Sequence, residues 1–179
     1  MKPWIWILLA LLTLPVTLAL AGALLPRHHV AVRACFIPRP ADEVGALVRD
    51  ITLAPTWRKD LRHSLWLPEE AGRHRFREEG SQGTVTYWVE RDEPGRLWST
   101  RIADQNLGYG GTWTYEFEPR NGGTWVRLTE RGEVSNPIFR VLSRFVFTHH
   151  RNIERALMAL GTHYGQSPVL VEEPALPER

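Results

Sequence analysis

Residues 136–164 read NPIFRVLSRFVFTHHRNIERALMALGTHY, and this stretch decides the architecture. Asn136 can accept from the first free N–H groups of a helix, and Pro137 suits the first helical position, where a missing N–H costs nothing. Ile138, Leu142, Phe145, His149, Ile153, Leu157, Leu160 and Tyr164 follow at steps of three or four, which predicts one long helix with a single apolar stripe. About 28 residues at 1.5 Å each give roughly 40 Å of helix. A stripe of that length needs a surface that grips it from end to end.

The chain before it supplies that surface. His28 to Ile37 is rich in Val, Ala, Phe and Ile and is expected as a first strand, stopped by Pro38 and Pro40. A short helix is expected from Asp42 to about Ile51, with a further helical turn carrying Trp57. Six strands are expected next, at 61–68, 73–79, 83–91, 96–103, 111–118 and 124–133. They are separated by Ala71-Gly72, Gly80-Ser81-Gln82-Gly83, Glu93-Pro94-Gly95, the loop 104–110 and Asn121-Gly122-Gly123. The pattern is that of an antiparallel meander.

Period-two alternation selects the inner face. Val85, Tyr87 and Val89 share one side of their strand, and Trp113, Tyr115 and Phe117 share one side of theirs. In the last strand Val126 and Leu128 point inward, and strict alternation brings Glu130 onto the same face. A carboxylate there needs partners. Tyrosine hydroxyls, an inward arginine, the free N–H groups near Asn136 and Pro137, or water could each serve, and Glu130 could be a structural tie or a group that orients a guest.

No charged side chain occurs from Pro3 to Pro26, a run long enough to cross a hydrocarbon core of about 30 Å. Trp4 and Trp6 suit an interface at one end. Residues 1–27 are therefore expected to form a single-pass membrane anchor. The alternative is a cleaved signal ahead of a secreted or periplasmic protein, because Ala19-Leu20-Ala21 suits a signal peptidase. Lys2 on one side and Arg27, Arg33 and Arg39 on the other leave the orientation open. Residues 28–165 form the expected domain, and 166–179, rich in Pro and Glu, a flexible tail.

Composition narrows the functional classes. With 179 residues and 43% hydrophobic content, the chain is sized for one domain with a core of its own plus an appended segment. Lys and Arg total 22 against 20 acidic residues, without a basic tract, so no nucleic-acid partner is expected. Cys35 stands alone, which excludes an intrachain disulfide, and it reads as a buried strand residue rather than a reactive thiol.

Motif chemistry is sparse. Gly108-Tyr109-Gly110-Gly111 fails as a dinucleotide loop because Trp113 stands where the last glycine belongs and the run lies between strands. There is no P-loop, nucleophile elbow, HExxH or paired-cysteine motif. His149 and His150 diverge on a helix, and Ile153 occupies i+4 from His149, which removes a helical metal pair. Glu69-Glu70 and Glu78-Glu79 adjoin turns and read as solvated charges. No catalytic residue, metal or cofactor is expected.

The order of strand, two short helices, meander and long terminal helix resembles the helix-grip domains of the SRPBCC or START-like superfamily. Gly110–Phe147, GGTWTYEFEPRNGGTWVRLTERGEVSNPIFRVLSRFVF, looks like the polyketide cyclase/dehydrase-type branch, as do Pro40-Ala41-Asp42-Glu43-Val44 and the Trp57 turn. The likeness covers about Val30 to Gly165. It implies an α+β fold, a curved antiparallel sheet of about seven strands wrapped on the terminal helix, with a hydrophobic cavity between them. No catalytic motif of a characterised cyclase transfers residue by residue.

On this basis the cavity candidates are Tyr87, Trp113, Tyr115, Phe117, Leu128, Glu130, His149 and Ile153. The first expectation is a membrane-tethered domain that binds a hydrophobic small molecule or lipid, placed ahead of an enzyme. A cyclase or dehydratase, with Glu130 or His149 moving protons on a polyketide-like substrate, is the alternative. A structural or partner-binding protein whose cavity is filled by its own side chains is the third.

Overall fold

The computed structural model describes residues 3–81, 83–145 and 150–172, and the side chains within them except at 3, 5–10, 12 and 143–145. Helix α1 (Pro3–Leu24) leads into strand β1 (His28–Ile37), which is followed by α2 (Ala41–Arg49) and α3 (Ala54–Trp57). The meander comprises β2 (Leu61–Glu70), β3 (Arg73–Gly80), β4 (Gly83–Glu93), β5 (Leu97–Ile102), β6 (Tyr109–Arg120) and β7 (Gly123–Val134). A short 3-10 turn at Gln105–Leu107 occupies the longest loop, and α4 (Pro137–Phe145) and α5 (His150–His163) close the fold.

All seven strands form one antiparallel sheet in the order β1-β7-β6-β5-β4-β3-β2. Residues opposite one another share a face, so the register carries the inner surface across the sheet. Phe76 lies opposite Tyr87, Tyr87 opposite Ile102, Trp98 opposite Tyr115, Tyr115 opposite Leu128, and Trp113 opposite Glu130. A bulge between Val89 and Arg91 re-phases β4, which puts Asp92 opposite the buried Trp98.

The helix side of the core is α5. Ile153, Leu157 and Leu160 are fully buried and join Ala31, Cys35, Val126 and Leu128 in one apolar cluster. Val44 and Val48 of α2 and Trp57 of α3 extend the same cluster. Burial pushes the Cys35 thiol up to about 12, which keeps it a protonated, unreactive core group.

The helix expected over 136–164 is found as α4 and α5, on either side of residues 146–149. Asn136 does cap the start, its Oδ1 accepting from the N–H groups of Ile138 and Phe139 at 2.9 and 3.2 Å. The neighbours differ along the stripe: α4 packs on α1 and β7, whereas α5 packs on β1, β7 and α3. Val146 to His149 lie outside the described residues.

The expected membrane anchor, and the single-pass localisation with it, is corrected. Among the described residues no helix is long and apolar enough to cross a membrane. Helix α1 also carries Pro15 and Gly22 within its span. The end of this helix packs on protein instead. A Cβ at Gly22 would fall 1.8 Å from the Pro137 carbonyl oxygen. The buried Arg140 guanidinium donates to Gly22 O and Leu25 O at 2.9 and 3.2 Å, and to Val134 O and Ser135 O at 2.9 Å each. At the other end of the domain Val171 pairs with Ala34 and Glu172 reaches Arg33, so the segment after α5 is held against β1 at that point.

Candidate functional site: a cavity under the sheet

Between the sheet and α5 lie two adjoining chambers of about 640 and 120 Å³. They share Val85, Tyr87, Thr100 and Trp113 of the sheet, Ser81, and Asn152 and Arg155 of α5 as common wall. The larger extends toward the ends of β6 and β7 and reaches Phe139 of α4. The smaller extends toward α2 and α3 and ends against Val48, Ile51 and Trp57. A volume of about 640 Å³ falls within the ~300–1,000 Å³ typical of small-molecule sites.

Glu130 stands in the wall of the larger chamber, on the face that alternation gave it. Its partners are not those expected. The Trp113 indole N–H donates to Oε2 at 3.0 Å, and the imidazole Nε2 of His29 bonds Oε1 at 3.1 Å. Trp113 reaches it because the two residues sit opposite each other across β6 and β7. His29, on β1, reaches across Gly132, where a Cβ would collide with the imidazole ring at 2.1 Å. Only glycine permits that approach.

The smaller chamber holds charges that the turn-adjacent reading of Glu78-Glu79 did not foresee. Glu78 is buried, opposite Val85 on the inner face, and is not a solvated charge. Arg58 Nη1 donates to both its oxygens at 2.9 and 3.1 Å, while Nη2 donates to Asp60 Oδ2 at 3.1 Å. The same guanidinium lies 5.9 Å from the centroid of the Trp113 ring. Burial pushes the Glu78 carboxyl above its ordinary range, and Arg58, shared with Asp60, pulls it back only in part. Burial also opposes the charge on Arg58, but the nearby Glu78 and Asp60 carboxylates more than offset it and raise its pKa.

The expected cavity residues separate into three groups. Tyr87 and Trp113 line both chambers, Tyr115 the smaller and Glu130 the larger. Phe117, Leu128 and Ile153 are buried core: Phe117 stacks on Tyr115 with centroids 6.3 Å apart, and Leu128 and Ile153 are fully enclosed. They support the wall rather than form it. His149 lies outside the described residues. Sequence reasoning missed Arg58, Glu78, His29 and Asn152, the last on α5 beside both chambers. Glu78 carried a signal, since Phe76 two residues earlier faces inward and the strand keeps its alternation.

A sheet gripping a C-terminal helix over a ligand-sized cavity defines the helix-grip class of α+β domains. The chain belongs to the family described as polyketide cyclase / dehydrase and lipid transport, whose model matches residues 28–164. No curated protein matches the sequence. Among solved structures, a protein from Thermus thermophilus has a TM-score of 0.60 at 22% identity, over 74% of this chain and 94% of its own. A START superfamily protein from Mycobacterium smegmatis has a TM-score of 0.60 at 16% identity, over 75% of this chain and 96% of its own. The Zhui aromatase/cyclase from Streptomyces sp. R1128 has a TM-score of 0.57 at 14% identity, over 74% of this chain and 91% of its own. At these identities the likeness is one of fold.

Proposed function

We propose that this protein holds a hydrophobic small molecule or lipid in the cavity between the sheet and α5, within the unit spanning residues 28–165. The observation that carries this reading is the chamber of about 640 Å³, walled by Val85, Ile102, Trp113 and Phe139 and bearing a few bonded polar groups. Apolar walls supply affinity and the polar groups fix orientation. A core filled by its own side chains would not leave such a volume. The test is native mass spectrometry of gently purified protein, together with titration of N-phenyl-1-naphthylamine. Retained apolar mass and saturable fluorescence are expected. A protein of bare chain mass that gives no saturable signal would overturn the reading.

The enzyme alternative has one observation in its favour, the imidazole of His29 bonded to the Glu130 carboxylate in the chamber wall. Such a pair can hold an imidazole ready to accept a proton. Both Glu130 oxygens are engaged, however, so Glu130 acts first as the tie between β1, β6 and β7. Glu130→Gln turns an amide N–H₂ toward one of two donors. It is expected to lower stability by about 1 to 3 kcal/mol in urea unfolding.

A further inference from the structure

Two phenols on the inner face stand apart from the charged pairs of the cavity. Tyr115 is only 6% exposed, and it and Tyr87 both line the smaller chamber. Glu130, Glu78 and Arg58 are all hydrogen-bonded to protein. Among the described residues neither tyrosine hydroxyl has a hydrogen bond, and neither oxygen is sealed off by packing as the Trp57 indole nitrogen is. An enclosed hydroxyl without a partner costs stability, and phenylalanine would fill the same space without that cost. Both hydroxyls therefore open onto the chamber with their hydrogen-bonding capacity unused.

The rings are held in place. Tyr87 stacks on Phe76 with centroids 5.1 Å apart, and Tyr115 stacks on Phe117. Burial raises both phenols above their ordinary pKa, so each keeps its proton at neutral pH and can donate it. Arg58, beside them, offers no open charge, because Glu78 and Asp60 occupy it. A guest carboxylate against the two phenols would lose its hydration, meet the Glu78 carboxylate and find Arg58 taken, which leaves the solvent-exposed Arg155 of α5 as the other cation lining this chamber. A guest carbonyl or hydroxyl oxygen would find two donors.

We propose that Tyr87 and Tyr115 form the polar end of the ligand site and select a guest bearing an un-ionised carbonyl or hydroxyl oxygen over one bearing a carboxylate. This rests on the ligand-binding reading above. The test uses the full chain and three probes of nearly one shape: 2-acetylnaphthalene, 2-ethylnaphthalene and 2-naphthoate, each displacing N-phenyl-1-naphthylamine. The ketone is expected to bind about 10-fold more tightly than the hydrocarbon, and the carboxylate more weakly than either. The double variant Tyr87→Phe/Tyr115→Phe is expected to bring the ketone down to the hydrocarbon's affinity and leave the hydrocarbon unchanged. The infrared carbonyl stretch of bound 2-acetylnaphthalene is expected to shift to lower frequency in the wild type. That measurement decides the matter even if the double variant fails to fold. Equal binding of ketone and hydrocarbon, tightest binding of the carboxylate, or an unshifted stretch overturns the selection and leaves the binding reading standing. Failure of all three probes and of the reporter to bind overturns both.

Discussion

Arg58 and Glu78 form a costly pair, because both charges leave water on the inner face of the sheet. Taking away one partner strands the other, whereas replacing both removes the desolvation cost along with the attraction. Arg58→Met is therefore expected to destabilise by about 3 to 5 kcal/mol in urea unfolding. Arg58→Met/Glu78→Leu should regain most of that loss. A double variant no more stable than the single would show that Arg58 acts through Asp60 instead. The pair also sets a pH dependence. The Glu78 carboxyl titrates above a free one in the folded state, so folding takes up a proton there. Its contribution is fully present below the unfolded pKa of about 4.3 and is lost as pH rises through the raised folded value. The stability of the wild type relative to Glu78→Gln should thus decline with rising pH across that interval. A relative stability that climbs instead would contradict the direction of the shift.

Among the elements, α5 is the one whose burial the sequence announces most directly. Leu157 is fully buried and Met158, its neighbour, is exposed. Leu157→Ala is expected to cost about 2 to 5 kcal/mol, against under about 0.5 for Met158→Ala, as read from chemical unfolding. Equal effects would mean that the helix is rotated from the phase described. Strands and turns were legible for the same local reason: alternation and turn residues act within a few positions. Partners across the fold were not. Apolar spacing over 136–164 shows that a face is buried but not against what, so the division of neighbours between α4 and α5 could not be read. The environment of Glu130 depends on Gly132 letting His29 cross β7, a matter of register between the first and last strands. Glu78 was readable by parity from Phe76. Arg58 was not, since it follows the last turn of α3 and its direction is set by where that turn ends.

At the scale of the whole molecule, Arg140 joins the end of α1 to the domain through four backbone carbonyls. Arg140→Met leaves those acceptors without the guanidinium and should open the junction after α1. Trypsin is then expected to cut after Arg27 about 10-fold faster than in the wild type, the equivalent of roughly 1.4 kcal/mol of local opening. An unchanged rate would place the restraint elsewhere. The strand order has a different kind of consequence. β1 is made first yet its partner among the seven strands is β7, made last of them, while its neighbour in sequence, β2, occupies the opposite edge. During synthesis β1 must wait, unpaired, until nearly the whole meander has emerged, and the loop it closes is among the longest available to the domain. A nascent chain halted before Thr124 would therefore present an exposed apolar edge, with Ala31, Ala34 and Cys35 uncovered, to any chaperone or sister chain within reach.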